Sequence, residues 1–170
     1  MMRFRQTNEG FEWVFGVTQP EEQAARLKQW ATTNQSLVPL VRYGVGAITT
    51  DWGIPEGMPN TVKIEKDIPD GMSFSTIQLE WRRIKGFMDP NANIHNLKQP
   101  ARELVWVQIL ESVHSKEAEI LTSVKDTKLL EVYPQLEALL PIIGITEYAK
   151  PIPKKVKKKR VTKKKTTKAA

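Results

Sequence analysis

The chain has 170 residues, no cysteine and a formal net charge of +7. The missing cysteines exclude disulfides, thiolate metal sites, iron–sulfur clusters and a cysteine nucleophile. The charge is unevenly placed: residues 150–170 hold 11 of the 26 bases and no acid, so residues 1–149 keep 15 bases against all 19 acids, a balance of −4. A slightly acidic body therefore carries a basic appendage, and the two need separate explanations.

Residues 1–149 suit one domain that buries roughly two-thirds of its unfolded surface. Met1 to Gly10 is polar, with no apolar stretch of the kind a secretory signal needs. Helical period dominates the body. Thr18 is a candidate cap, and Pro20 with Glu21 and Glu22 marks a helix start. Ala24, Leu27 and Ala31 then share a face, which predicts a helix over 20–32. Asn34 is a second cap candidate. Leu37, Leu40, Val41 and Gly44 come next at helical spacing, with Pro39 tolerable only in the first turn. That helix should end near Gly44 and Gly46.

Residues 47–74 change character. Ile54-Pro55-Glu56-Gly57-Met58-Pro59 is turn chemistry. Val62, Ile64 and Ile68 alternate in part, which permits a short strand, but a lone strand does not stand in water. The stretch reads as a long ordered loop pinned by Trp52 and its prolines. Ser75 is a candidate cap for a helix over 76–88, with Ile77, Trp81, Ile84 and Met88 on its core face. Pro100 opens the most apolar helix, about 100–113, expected to be central and buried. Ser115 is a candidate cap for a helix over 116–125. A short helix is expected after Pro134, limited by Pro141. The longest apolar run, around Ala138 to Ile145, is far short of the ~20 residues that span a bilayer. The expectation is an all-α domain of about six short helices, soluble and intracellular, with no sequence repeat.

Several ordered blocks carry a resemblance. They are Asn34-Gln35-Ser36-Leu37, the Ile54-Pro55-Glu56-Gly57 turn, Gly86-Phe87, Pro90-Asn91 and Arg102-Glu103. Further on come Ile109-Leu110-Glu111-Ser112-Val113-His114, Glu117-Ala118 and Lys125-Asp126-Thr127-Lys128-Leu129. Together they resemble an uncharacterised family of small proteins encoded by large contractile-tailed bacteriophages, including cyanophages, over roughly residues 11–144. Ser115 stands where that family tends to have Pro. The resemblance implies a phage product acting in the cytoplasm of the infected bacterial host. It implies no reaction, cofactor or catalytic residue.

The tail, Pro151 to Ala170, is too densely charged and too poor in apolar bulk to offset its chain entropy, so disorder is expected. Lys154, Lys155, Lys157, Lys158, Lys159, Arg160, Lys163, Lys164 and Lys165 are the candidate nucleic-acid-binding residues. Lysines that neutralise phosphates release counterions, giving sequence-blind, salt-dependent binding to DNA or RNA. No aromatic interleaves them, which argues against base stacking as the main source of affinity there. An anionic membrane surface, an acidic protein and a solubility role are the competing readings. In a eukaryotic host Lys154 to Arg160 would also read as a nuclear import signal.

Within the body, Arg82, Arg83 and Lys85 beside Trp81 are a possible secondary contact. The ordinary reading is an amphipathic helix with Trp81 and Ile84 inward. Ser112, His114 and Asp126 invite a catalytic triad, but Ser112 and His114 are two residues apart near a helix end and do not face each other. His114 there reads as a charged residue at a helix C-terminus. His95 and His114, with Asp89 or Glu111, lack metal-ligand spacing. Arg102 and Glu103 with Lys125 and Asp126 read as an ion-pair or cap network joining the central helix to the next. No catalytic residue, metal site or cofactor is expected. The leading expectation is a non-enzymatic nucleic-acid-associating protein whose body positions the tail or binds a protein. The rival is an adaptor or inhibitor of a host protein, marked by an exposed apolar patch at Trp13, Trp52 or Phe74.

Overall fold

The computed structural model describes residues 3–149. The tail expectations and the candidate residues Lys154 to Lys165 lie outside the described residues. Among the described residues there are seven α-helices: α1 (Thr7–Phe15), α2 (Pro20–Thr33), α3 (Leu37–Gly44), α4 (Ile77–Met88), α5 (Gln99–Ser112), α6 (Ser115–Lys125) and α7 (Leu129–Val132). Two 3₁₀ segments, Asn93–Asn96 and Pro134–Ile143, complete the set. The fold is all-α, with no strand among the described residues. Val62 and Ile64 instead pack as single partly buried side chains against the core.

Helix α1 goes beyond the sequence expectation. Its polar first turn hides the signal, because Thr7 and Asn8 are buried along with Phe11 and Val14. The helix packs closely on α2. A Cβ on Gly10 would lie inside the Trp30 indole, so only glycine admits that ring. Phe11 meets Trp30 edge-on at 5.0 Å and stacks on Tyr133 at 4.3 Å. A second aromatic cluster joins Trp52, Phe87 and Trp106, with Trp106 5.5 Å from Trp52 and 5.3 Å from Phe87.

The central helix is α6, not α5. It packs against α1, α3, α5 and α7. Its buried residues include Glu117, Ser123 and Lys125 as well as Ala118, Ile120, Leu121 and Val124. Those polar residues make its sequence look like a surface helix. Helix α5 is apolar around most of its circumference, yet Leu104 is exposed.

Three expected caps move by one residue. Gln19, not Thr18, precedes α2. Thr76, not Ser75, caps α4, its Oγ1 accepting from the Leu79 N–H. His114, not Ser115, caps α6, its Nδ1 accepting from the Lys116 N–H at 3.2 Å. Asn34 does not cap α3, which Ser36 precedes. Its Oδ1 accepts from the Ser36 N–H and Oγ–H, closing a turn between α2 and α3.

Candidate nucleic-acid interface

Of the three bases expected on α4, only Lys85 lies on a concave surface. Arg83 is bound to Glu80 at 3.0 Å and to Gln108 at 3.3 Å on the side facing α5. Arg82 is exposed. Trp81 is not a core residue as its spacing implied. Ile77, Ile84, Phe87 and Met88 form the buried stripe, and Trp81 is half-buried at its edge.

That edge borders a groove between α4 and the α2–α3 corner. Its largest cavity, about 560 Å³, is walled by Pro39, Tyr43, Ile48, Trp81, Met88 and Pro90, with Gln35, Arg42, Lys85 and Asp89 at the polar positions. A cavity of about 280 Å³ adjoins it through Gln35 and Trp81 and adds Thr33, Asn34, Ser36 and Gln78. A third, about 270 Å³, continues past Asn34 and Gln78 to Trp30, Phe4 and Arg3. At the opposite end, Arg42 and Ile48 are shared with a cavity of about 230 Å³ lined by Thr146 and Glu147. Helical geometry accounts for the α4 wall: Gln78, Trp81, Lys85 and Met88 recur every three or four residues along one side.

Several groove side chains lack partners among the described residues. Arg42 and Lys85 form no ion pair among the described residues. Trp81 makes no ring contact, whereas the other four tryptophans each meet an aromatic side chain. Asn34 is buried, and its Nδ2 has no acceptor. Asp89 is turned toward its own loop, accepting from the Asn91 N–H at 2.9 Å.

Arg102, Glu111, His114, Lys125 and Asp126 belong to a different structure. Arg102 lies flat against Gly53, where a Cβ would strike its guanidinium. Lys125 donates from Nζ to the Pro55 carbonyl at 2.8 Å and pairs with Asp126. Asp126 accepts from the Gly57 N–H at 2.8 Å, and Lys128 pairs with Glu56. Glu111 accepts from the Lys63 N–H at 2.9 Å. His114 Nε2 lies 2.8 Å from the Ile68 carbonyl. These residues pin the loop between α3 and α4 to α5, α6 and the turn after α6. The expected helix-to-helix network is thus a helix-to-loop one, and Glu103 stands outside it, accepting from Gln99.

His114 lies between two helices: it follows the Val113 C-cap of α5, as expected, and is also the N-cap of α6. Its Nδ1 is an acceptor, so Nε2 carries the proton and donates to Ile68. The structure does not bring Ser112, His114 and Asp126 into one site, since Ser112 Oγ donates to the Ile109 carbonyl and the other two serve the loop. No group of three or more His, Asp or Glu residues able to hold a metal occurs among the described residues.

Sequence spacing missed Glu117. This fully buried carboxylate, in the first turn of α6, accepts from the Thr7 N–H at 2.7 Å and the Ile77 N–H at 3.2 Å. Those amides open α1 and α4, so three helix N-termini converge on one acidic group. Burial pushes its carboxyl up to about 7, against the pull of the two amides.

Comparison with protein-family models, curated proteins and solved structures returns no match. The described residues form an all-α body with an aromatic and cationic groove beside α4.

Proposed function

We propose that this chain is a non-enzymatic accessory protein of a phage, acting in the cytoplasm of an infected bacterium and associating with DNA or RNA through its Lys-rich C-terminal segment. One observation carries the reading: residues 150–170 hold 11 bases and no acid, on a body at −4. That density suits a phosphate backbone, with affinity drawn from counterion release. The body positions this segment or binds a protein partner. The phage setting rests on the resemblance of the Arg102, Glu111, His114 and Lys125-Asp126 blocks.

The test compares the full-length chain with a variant in which Lys154, Lys155, Lys157, Lys158, Lys159, Arg160, Lys163, Lys164 and Lys165 are all glutamine. Binding to duplex DNA and to RNA is measured across salt. The wild-type chain should show a steep log–log dependence, roughly 0.9 per phosphate neutralised on duplex DNA. The variant should lose most of both affinity and slope. Equal affinities overturn the reading.

A second reading, an adaptor that binds a host protein, is favoured by one surface. Phe74 is 95% exposed, and Met72 and Leu79 near it in the chain are 71% and 75% exposed. Of the other residues expected in such a patch, Trp52 is buried against Phe87, and Trp13 packs against Phe4 and Arg26. A partner captured from host lysate that survives nuclease and is lost with Phe74→Ser supports it. No helix among the described residues is long and apolar enough to cross a membrane.

A further inference from the structure

We propose that the groove between α4 and the α2–α3 corner is a binding site for single-stranded nucleic acid, with a base stacked on Trp81 and the flanking phosphates held by Arg42 and Lys85. The proposal rests on the nucleic-acid reading above and adds an ordered, strand-selective contact to it.

Trp81, Arg42 and Lys85 line one cavity, and Asn34 lines the adjoining ones. Trp81 presents a half-buried indole with no aromatic neighbour. Arg42 and Lys85 line the same cavity, on opposite walls, without a carboxylate partner. Asn34 lines the adjoining cavities, is 5% exposed, and has an Nδ2 with no acceptor. Its orientation is fixed, because Oδ1 is engaged by the Ser36 N–H and hydroxyl.

The combination selects the ligand chemistry. A stacking ring beside two cations suits a base with its phosphates. The volume of about 560 Å³ falls in the range of small-ligand cavities and admits a nucleotide unit. A base inside a duplex is stacked on its neighbours and does not expose a face to Trp81, so the site reads single strands.

The place of the last described residues points the same way. The Ala149 N–H donates to the Val45 carbonyl at 3.1 Å, and Thr146 and Glu147 line the cavity that shares Arg42 and Ile48 with the groove. Ala149 therefore lies toward the Arg42 end of the groove, and a strand bound by the basic residues that follow it in sequence would have the groove within reach. A strand held at two linked sites gains affinity through effective concentration.

The test uses the full-length chain with fluorescein-labelled oligo-dT, oligo-U and a DNA duplex of equal length, read by anisotropy at one fixed salt concentration. The wild-type protein should bind the single strands more tightly than the duplex, with quenching of tryptophan emission on titration with unlabelled oligo-dT. Trp81→Ala should weaken single-strand binding about tenfold and leave duplex binding within about twofold. Trp81→Phe should keep most of the affinity and lose the quenching. Lys85→Glu should weaken single-strand binding without changing the melting temperature. Unequal loss between oligo-dT and oligo-U assigns the site to DNA or RNA. If Trp81→Ala does not melt cooperatively, Trp81→Phe and Lys85→Glu decide. Wild-type affinity in Lys85→Glu, with quenching unchanged in Trp81→Phe, overturns the proposal. The glutamine tail variant separates the two readings: it should weaken single strand and duplex alike, so the tail reading survives a failure of the groove.

Discussion

Two polar regions of this protein have opposite fates. Around α6, Glu117, Lys125, Asp126 and His114 each have named partners and bind α1, α4 or the long loop. In the groove, among the described residues, Arg42 and Lys85 have no ion pair, Trp81 no ring contact and the Asn34 Nδ2 no acceptor. The first region spends its polar groups on holding the fold, and the second holds them in reserve for a ligand. Residue type does not distinguish them, since both mix charge, amide or imidazole donors and apolar neighbours. Engagement distinguishes them. The comparison makes separate predictions for stability and for binding.

The largest effect should come from Glu117→Ala. It strips the acceptor from two buried amides at the starts of α1 and α4. At roughly 1–3 kcal/mol for each unsatisfied buried group, the loss is about 4 kcal/mol. Denaturant melts measure it. A loss below about 1 kcal/mol would remove Glu117 from the fold-holding set.

The same carboxyl sets a pH dependence. Its folded-state value is raised from 4.5 to about 7. The folded state therefore binds the extra proton between those values, and stability falls as pH rises through that window. The change is at most about 3 kcal/mol, since each unit is worth about 1.4. Glu117→Gln should flatten this slope. A wild-type chain equally stable at pH 5 and pH 8 contradicts the burial argument.

Lys125→Ala should cost about 3 kcal/mol, because it leaves a buried Asp126 carboxylate unpaired and frees the Pro55 carbonyl. The turn at Ile54 to Gly57 should then open. Limited proteolysis near Lys63 and Lys66 should speed up well before global unfolding. Cleavage at the wild-type rate shows that the loop is held by Trp52 and its prolines alone.

Much of the fold is legible in the sequence, and the exceptions share a cause. Helices α2, α4 and α5 follow their apolar periods and their prolines. Helix α1 is obscured because Gln6, Thr7 and Asn8 are polar yet buried. The central place of α6 is obscured in the same way by Glu117, Ser123 and Lys125. Periodicity reads burial through apolarity, so buried polar groups look like surface. Trp81 fails in the opposite sense, since it lies on the apolar stripe of α4 yet opens onto the groove. Lys85 is legible as one of a basic cluster. Arg42, Asn34 and Tyr43 are not, because the groove joins α3 to α4 across more than thirty residues of loop.

The smallest stability effect should be that of Arg42→Gln with Lys85→Gln. Both side chains are exposed and lack ion pairs, so their removal breaks no described interaction. Changes at such sites stay within about 0.5 kcal/mol. Removing two nearby like charges from one groove also relieves a little mutual repulsion, which is screened in salt. The double variant should therefore melt at or slightly above the wild-type temperature, most visibly at low ionic strength. Oligo-dT binding should weaken in the same sample. A clear drop in melting temperature would show the two cations stabilising α3 and α4, and the groove would then belong with the α6 region.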